Sequence, residues 1–422
     1  MSDSDLPPPP AAPPTGTFSS LRIRNYRLFF SGQVISNVGT WMNRIAQDWL
    51  VFTLTGNNPV ALGIAAALQF APTLLLSLWA GVWADRLDKR KLLVFLQSGM
   101  AACALVLGIL DVTGLVRIWQ VYLLCLVFGC FVAVETPTRQ SFVGEMVGST
   151  QLTNAVALNS SSFNLARVVG PAIAGLMITW VSTGPVFLIN AVSTIAVIAG
   201  LIMMNPAELH RGPAVKRAKG QLREGLRYVR GRIDLVVVLT LMFCVSTFAI
   251  TFFTTLAVVA ANVFHKEADG YGLLSSALAV GTLTGALLAA RRSVRSKPGL
   301  KMLFGSALVF GFLEMTAGLM PTYLAFAVAL VPVGVVLMTF MNSANTTVQL
   351  SVSPEMRGRV MGLYMLVFLG GNPIAGPMTG WLADQFGGRS PLIVGGIAAM
   401  LAAVVCGAVL RWRTKRLDTL PV

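Results

Sequence analysis

GVWADRLDKRKLL, residues 81–93, packs Asp85, Arg86, Asp88, Lys89, Arg90 and Lys91 into seven positions, directly after the uncharged run 60–80. An apolar run of about 20 residues is what a helix needs to cross the hydrocarbon core of a bilayer. The cluster therefore marks a place where the chain leaves the membrane. Composition agrees: the 422 residues are 55% hydrophobic and 12% charged, with mean hydropathy +0.72. A soluble domain carries about 25% charged residues, so this chain reads as an integral membrane protein. Forty Gly against five Cys suit close helix packing rather than a disulfide framework. With two His, no metal site is expected.

Working outward from the cluster, apolar segments lie near 28–55, 60–84, 92–111, 119–138, 155–180 and 185–204, then 235–262, 271–290, 302–319, 323–345, 357–383 and 391–410. That predicts an all-α membrane protein of twelve transmembrane helices. The divisions expected are a disordered tail (1–20), a six-helix bundle (21–204), a linker (205–234), a second six-helix bundle (235–412) and a short tail (413–422). In the linker, Leu222, Leu226 and Val229 share one helical face and Arg223, Arg227 and Arg230 another, predicting a short amphipathic helix at the membrane surface. An even number of spans puts both termini on one side. Of 32 Lys and Arg, only Arg117, Lys266 and Arg389 fall in loops on the opposite side, and Arg44 and Arg167 fall within spans. The positive-inside rule makes the terminal side cytoplasmic, which places the chain in the plasma (inner) membrane. The net charge of +15 thus reports topology and contact with anionic lipid, not nucleic-acid binding.

Six plus six spans suggest a duplication. At an offset of 206, Gly170-Pro171 falls on Gly376-Pro377 and Pro185 on Pro391. Proline inside a spanning helix forfeits a backbone hydrogen bond, so this coincidence is hard to reach by chance. At an offset of 205, Arg86 and Arg90 meet Arg291 and Arg295, but Asp85 meets Ala290. A charge latch built on this loop would therefore be one-sided.

Twelve spans in two related halves, with Gly81, Asp85, Arg86, Lys89, Arg90 and Lys91 after the second, resemble the major facilitator superfamily. Asp88 stands where that family's signature loop has a glycine. RVVGPAIAG (167–175) in span 5 resembles the Gly-Pro motif of its antiporters. Over residues 20–412 the chain looks most like the drug:proton antiporter branch that includes macrolide-efflux and enterobactin-export proteins. The resemblance implies two pseudo-symmetric six-helix bundles that rock about a central cavity lined by spans 1, 4, 7 and 10. It further implies a cytoplasmic gate in which the loop aspartate docks at the start of span 11. Here that is Asp85 on Ser353-Pro354-Glu355, a Ser N-cap with Pro in the first turn, with Arg86 or Arg90 reaching Glu145 or Glu355.

Polar residues at membrane depth need a reason, since a mid-bilayer charge costs at least about 2.5–3.5 kcal/mol. Gln33, Asn37, Thr40, Arg44 and Asp48 follow one another at helical spacing on one stripe of span 1, which must face protein or water. Asn342, Asn345 and Gln349 repeat the pattern in span 10. Arg44 and Asp48 lie one turn apart, as do Glu135 and Arg139; Asn164 lies one turn before Arg167. Burial and a nearby guanidinium act oppositely on a carboxylate's hold on its proton. Such a carboxylate can load and release one near neutral pH. Asp48 is the first candidate for proton coupling, Glu135 the second and Glu314 the third. Asn37, Arg44, Arg139, Asn164, Arg167, Asn342 and Asn345 are candidates to line the cavity, and Gly170, Pro171, Gly376 and Pro377 to pack helices.

These features predict a secondary transporter that exports lipophilic or amphipathic small molecules against proton entry, acting as a monomer. A dedicated exporter of one metabolite such as a siderophore, a lipid translocator, and a non-transporting scaffold or sensor are the alternatives. No phosphate-binding loop for ATP occurs, no cofactor is expected, and no compact catalytic constellation suggests an enzyme.

Overall fold

The computed structural model describes residues 16–210, 221–293 and 299–418. Its helices are α1 (Arg24–Leu54), α2 (Pro59–Arg86), α3 (Lys89–Val112), α4 (Ile118–Val181), α5 (Thr183–Ile202), α6 (Gln221–Arg230), α7 (Ile233–Phe248), α8 (Phe252–Val258), α9 (Ala268–Ser293), α10 (Leu300–Gly318), α11 (Tyr323–Ser351), α12 (Pro354–Gly370), α13 (Asn372–Phe386) and α14 (Ser390–Asp418). Among the described residues, ten segments are long and apolar enough to cross a membrane. One of them, α4, has 64 residues and would run about 96 Å if straight. It breaks at Gly148, whose φ of 66° a residue with a Cβ rarely adopts, and so supplies two crossings. The other missing crossing is α1, whose polar stripe dilutes its hydropathy. The protein is a multi-pass membrane protein of the expected fold class.

Several boundaries differ from the expectation. The stretch 139–154, read as a loop, is helical on both sides of Gly148, because nothing but that one glycine interrupts it. Span 7 is broken instead: the amides of Ala249 and Ile250 both turn back to the Val245 carbonyl, at 3.0 Å each, and α8 restarts at Phe252. Span 11 breaks at Gly371, where a Cβ would stand 3.1 Å from the Cβ of Thr247 at the end of α7. The two breaks therefore pack on each other. Ser19 and Ser20, expected to belong to the tail, are instead held on the first half, Ser19 donating to Gln151 at 2.6 Å and Ser20 to Asn154 at 2.7 Å. Residues 1–15, 211–220, 294–298 and 419–422 lie outside the described residues. The amphipathic helix of the linker is α6. It docks on α12 through Glu224, which accepts from Arg359 at 2.6 Å, and through Gly225, which faces Arg359 and Leu363.

The two halves touch along two main seams, α4 with α9 and α2 with α13. Both are built on small residues, which let helix backbones approach closely. A Cβ on Gly175 would stand 2.7 Å from the Ala268 carbonyl oxygen, and one on Gly376 2.5 Å from that of Gly63. The duplicated Gly-Pro pairs sit in these seams: Gly272 of α9 lies against the Pro171 carbonyl, and Gly376 of α13 against Gly63 of α2. Gly170 itself abuts Trp41 of α1. All these contacts belong to the face away from the chain termini, here termed the far face. On the terminal face α2 barely meets α12, and the halves stand apart.

Candidate functional site

A cavity of about 780 Å³ lies within the first half, below the seams. The stripe on α1 forms one wall with Gln33, Asn37, Thr40 and Arg44. Gln69, Phe70 and Thr73 of α2, Gln97 and Met100 of α3, and Glu135, Arg139, Asn159, Phe163 and Asn164 of α4 form the rest. Phe253 is the lining residue from the second half. A volume between about 300 and 1,000 Å³ suits a drug-sized molecule.

The wall is a network of paired groups. Gln33 donates to Asn37 at 2.8 Å, and Asn37 to Ser162 at 3.1 Å. Arg44 reaches Asp48 at 3.1 Å and Gln69 at 2.6 Å, and its guanidinium lies 5.4 Å from the centre of the Phe70 ring and 5.0 Å from that of Phe253. Arg139 donates to Glu135 at 2.8 Å, and Gln97 adds a bond to the same carboxylate at 3.1 Å. Asp48 and Glu135 thus each have a base of their own, which offsets part of the cost of desolvating both partners. The Asn164 amide turns back to the Ser160 carbonyl at 2.8 Å.

Asp48 closes the network. Its side chain is 4% exposed, and its Oδ2 also accepts from Tyr271 of α9 at 2.9 Å. That bond crosses between the halves on the far-face side of the cavity. The Tyr271 hydroxyl also lies 3.2 Å from the carbonyl of Phe253, in α8. Nearer the far face, the Asn262 amide donates to the Asn57 carbonyl at 3.2 Å, a second bridge between halves.

Other candidates fall elsewhere. Asn342 and Asn345 are not among the residues lining this cavity; Asn345 accepts from Gln349 at 2.6 Å on its own helix. Expecting spans 1, 4, 7 and 10 to share the lining overlooked the separation of the halves, which leaves α11 away from the polar pocket. Glu314 of α10 is fully buried, neither carboxyl oxygen meets a hydrogen-bond partner among the described residues, and Oε1 faces Gly395 of α14. It lies outside the cavity. Arg167 lines a separate, smaller pocket with Trp41.

At the terminal face, Gly81 and Asp85 lie in the last turns of α2, outside the residues whose side chains are described. Arg86 and Glu355 are exposed. Lys89, rather than Arg86 or Arg90, meets Glu145, at 2.5 Å. Arg90 instead caps α5, donating to the carbonyls of Leu201 and Ile202 at 2.5 and 2.6 Å. Both bases serve their own half in this posture. Asp88, which replaces the usual glycine, is the N-cap of α3 and accepts from the Lys91 amide at 3.1 Å. A capping residue suits that place as well as a glycine does.

Gln69, Gln97 and Tyr271 were not singled out from the sequence. The two glutamines carry a usable signal, since an amide within an apolar span must find a polar partner. Tyr271 carries none, because tyrosine is common near membrane interfaces.

A family model described as transmembrane secretion effector, of the major facilitator type, matches residues 15–421. The staphyloferrin A transporter of Staphylococcus aureus is 26% identical over 390 residues, covering 90% of this chain and 94% of that protein. Macrolide efflux protein A of Streptococcus pyogenes is 23% identical, covering 92% and 96%. Among solved structures, a bacterial homologue of the human lysosomal transporter Spinster, inward-facing and unoccupied, superposes with a TM-score of 0.69 at 14% identity, covering 91% of this chain and 94% of that one.

Proposed function

Because the chain belongs to the transmembrane secretion effector family of the major facilitator superfamily, we propose that it exports amphipathic small molecules in exchange for protons, by alternating access. It is a membrane transporter, not an enzyme. The observation that carries the mechanism is the one-sided closure. The cavity is shut toward the far face by two small-residue seams and by the Asp48–Tyr271 bond between halves, while α2 and α12 leave the terminal face open. With the termini in the cytoplasm, as the distribution of basic residues suggests, this posture faces inward and is loaded from the cell.

Asp48 is the proton carrier in this reading. Breaking its contact with Tyr271 is part of opening the far face, so proton uptake from outside and separation of the halves involve one group. Glu135, held by Arg139 and Gln97, is the second candidate and Glu314 the third. Asp85 at the start of α12, with Arg86, Arg90 and Glu355 around it, would latch the terminal face in the opposite posture. A narrower reading, a dedicated exporter of one polar metabolite, is favoured by the amide-rich wall and by the relative named for staphyloferrin A.

The test is accumulation of macrolides, dyes and siderophores in cells with and without the protein. Expression is expected to lower accumulation of at least one of them, and a protonophore to abolish that difference. A difference that survives collapse of the gradient contradicts proton coupling. No difference with any compound contradicts export.

A further inference from the structure

Beside the main cavity lies a second pocket of about 40 Å³, bounded by Trp41, Arg167, Pro171, Phe253, Ser275 and Leu278 among others. Trp41 and Phe253 belong to the walls of both pockets. The small one therefore adjoins the large one across these two side chains, under the α4–α9 seam.

Its polar groups share one property. Among the described residues the indole Nε1–H of Trp41 is buried with no hydrogen-bond partner, and the buried hydroxyl of Ser275 has only the Tyr271 hydroxyl, one turn away on α9, beside it. The guanidinium of Arg167 lies 5.6 Å from the centre of the Trp41 ring, and among the described residues it meets no carboxylate. Trp and Arg can only donate, and Ser can donate. The remaining walls are apolar. Arg44 and Arg139, in contrast, each have an acid of their own. Of the arginines lining the two pockets, Arg167 is thus the one that meets no carboxylate among the described residues. A cation at membrane depth without a counterion is costly and marks a functional site; Arg167 is partly buried, and the buried Trp41 donor beside it, with no acceptor, carries a further penalty.

We propose that this pocket receives the carboxylate of the transported molecule, so that the substrates are amphipathic anions. The inference rests on the export reading above and specifies its substrate. The volume supports the assignment. About 40 Å³ exceeds the roughly 10–15 Å³ that a cavity needs to hold one water and is enough for a carboxylate head. The body of the molecule then occupies the large cavity, between Phe70, Phe163 and Phe253 and opposite the amides of α1. Trp41 and Arg167 come from the first half and Ser275 from the second. A carboxylate held by all three bridges the halves, and separation of the α4–α9 seam takes the site apart. Binding from the terminal face and release at the far face follow from that geometry.

The test is binding to the purified protein in chloride-free sulfate buffer, with a matched pair of probes, dansyl-phenylalanine and its primary amide. Charge-assisted hydrogen bonds to a buried group are expected to make the acid bind at least about tenfold more tightly than the amide. Arg167→Gln should bring the two within about twofold, and Arg167→Lys should keep a preference for the acid. Equal binding of acid and amide by the wild type overturns the proposal whether or not the variants fold, as does a preference that survives Arg167→Gln. Chloride is the control anion. If chloride alone alters tryptophan fluorescence through Arg167 while acid and amide bind alike, the pocket is a chloride site and the carboxylate assignment falls. Because binding is measured without transport, a carboxylate preference in a protein that shows no efflux would overturn the export reading and leave the pocket standing.

Discussion

Asp48→Asn is expected to lower efflux at least about tenfold while the protein still inserts. Asn keeps an acceptor for the Tyr271 hydroxyl but removes the charge that offsets Arg44, 3.1 Å away. Removing one partner of a buried ion pair costs about 3–5 kcal/mol, and the proton-binding group is lost with it. Tyr271→Phe separates the two effects. It deletes only the bond across the halves, worth about 1.5–3 kcal/mol to a charged acceptor, and so shifts the balance toward the far-face-open posture by roughly tenfold to more than a hundredfold. Its efflux should stay sensitive to the gradient; that of Asp48→Asn should not. Gradient-driven uptake into inverted vesicles, normalised to protein in the membrane, distinguishes them. Full gradient-dependent uptake by Asp48→Asn would move the proton to Glu135.

Gly376→Val is expected to be as damaging from a position that touches neither substrate nor proton. Its Cβ would stand 2.5 Å from the Gly63 carbonyl oxygen and 3.2 Å from the Ala66 Cβ, and backbone on both sides cannot yield cheaply. Overpacking of this kind costs about 1–3 kcal/mol, charged entirely against the far-face-closed posture. The equilibrium then moves by about fivefold to more than a hundredfold. Efflux should fall at least about tenfold. A cysteine at Asn37, in the cavity wall, should react faster with an impermeant maleimide supplied from the far face. Gly305→Val, where a Cβ meets nothing within 4 Å, is the control and should do neither. Unchanged labelling in Gly376→Val would show that the α2–α13 seam is not the far gate.

Most of the architecture was legible because it is written in local patterns. An uncharged run followed by the Asp85–Lys91 cluster marks a span end. The Gly170-Pro171 and Gly376-Pro377 pairs mark the duplication, and their place in the seams explains why both halves carry them. The α1 stripe was legible for the same reason: a helical period of polar groups has to face something wet or polar. The break at Ala249–Thr251 was not legible, because it contains neither proline nor glycine and is supported from across the bundle by Gly371. The break at Gly371 did carry a signal, the run Gly370-Gly371-Asn372-Pro373, which the reading of span 11 as one helix passed over. Tyr271 and Asp48 lie 223 residues apart, so only the docking of the halves makes them partners. The separation of α11 from the cavity depends on posture, which one sequence encodes only as one of two states. At the charged loop, residue types pointed correctly to Glu145 as a partner but not to Lys89 as the base that reaches it. Helix phase at the start of α3 decides that choice, and the phase is set by Asp88 acting as N-cap.

The central claim is that the halves separate at the far face in every transport cycle. Cysteines at Thr55 and Asn262 in a cysteine-free background test it most directly, since Asn262 already bonds to the chain at Asn57 with a separation of 3.2 Å. A short bis-maleimide is expected to link the two halves there and stop efflux, while the same reagent on either single-cysteine protein leaves efflux intact. Efficient linking with efflux continuing at its original rate would contradict the account, because the far face would then never have to open.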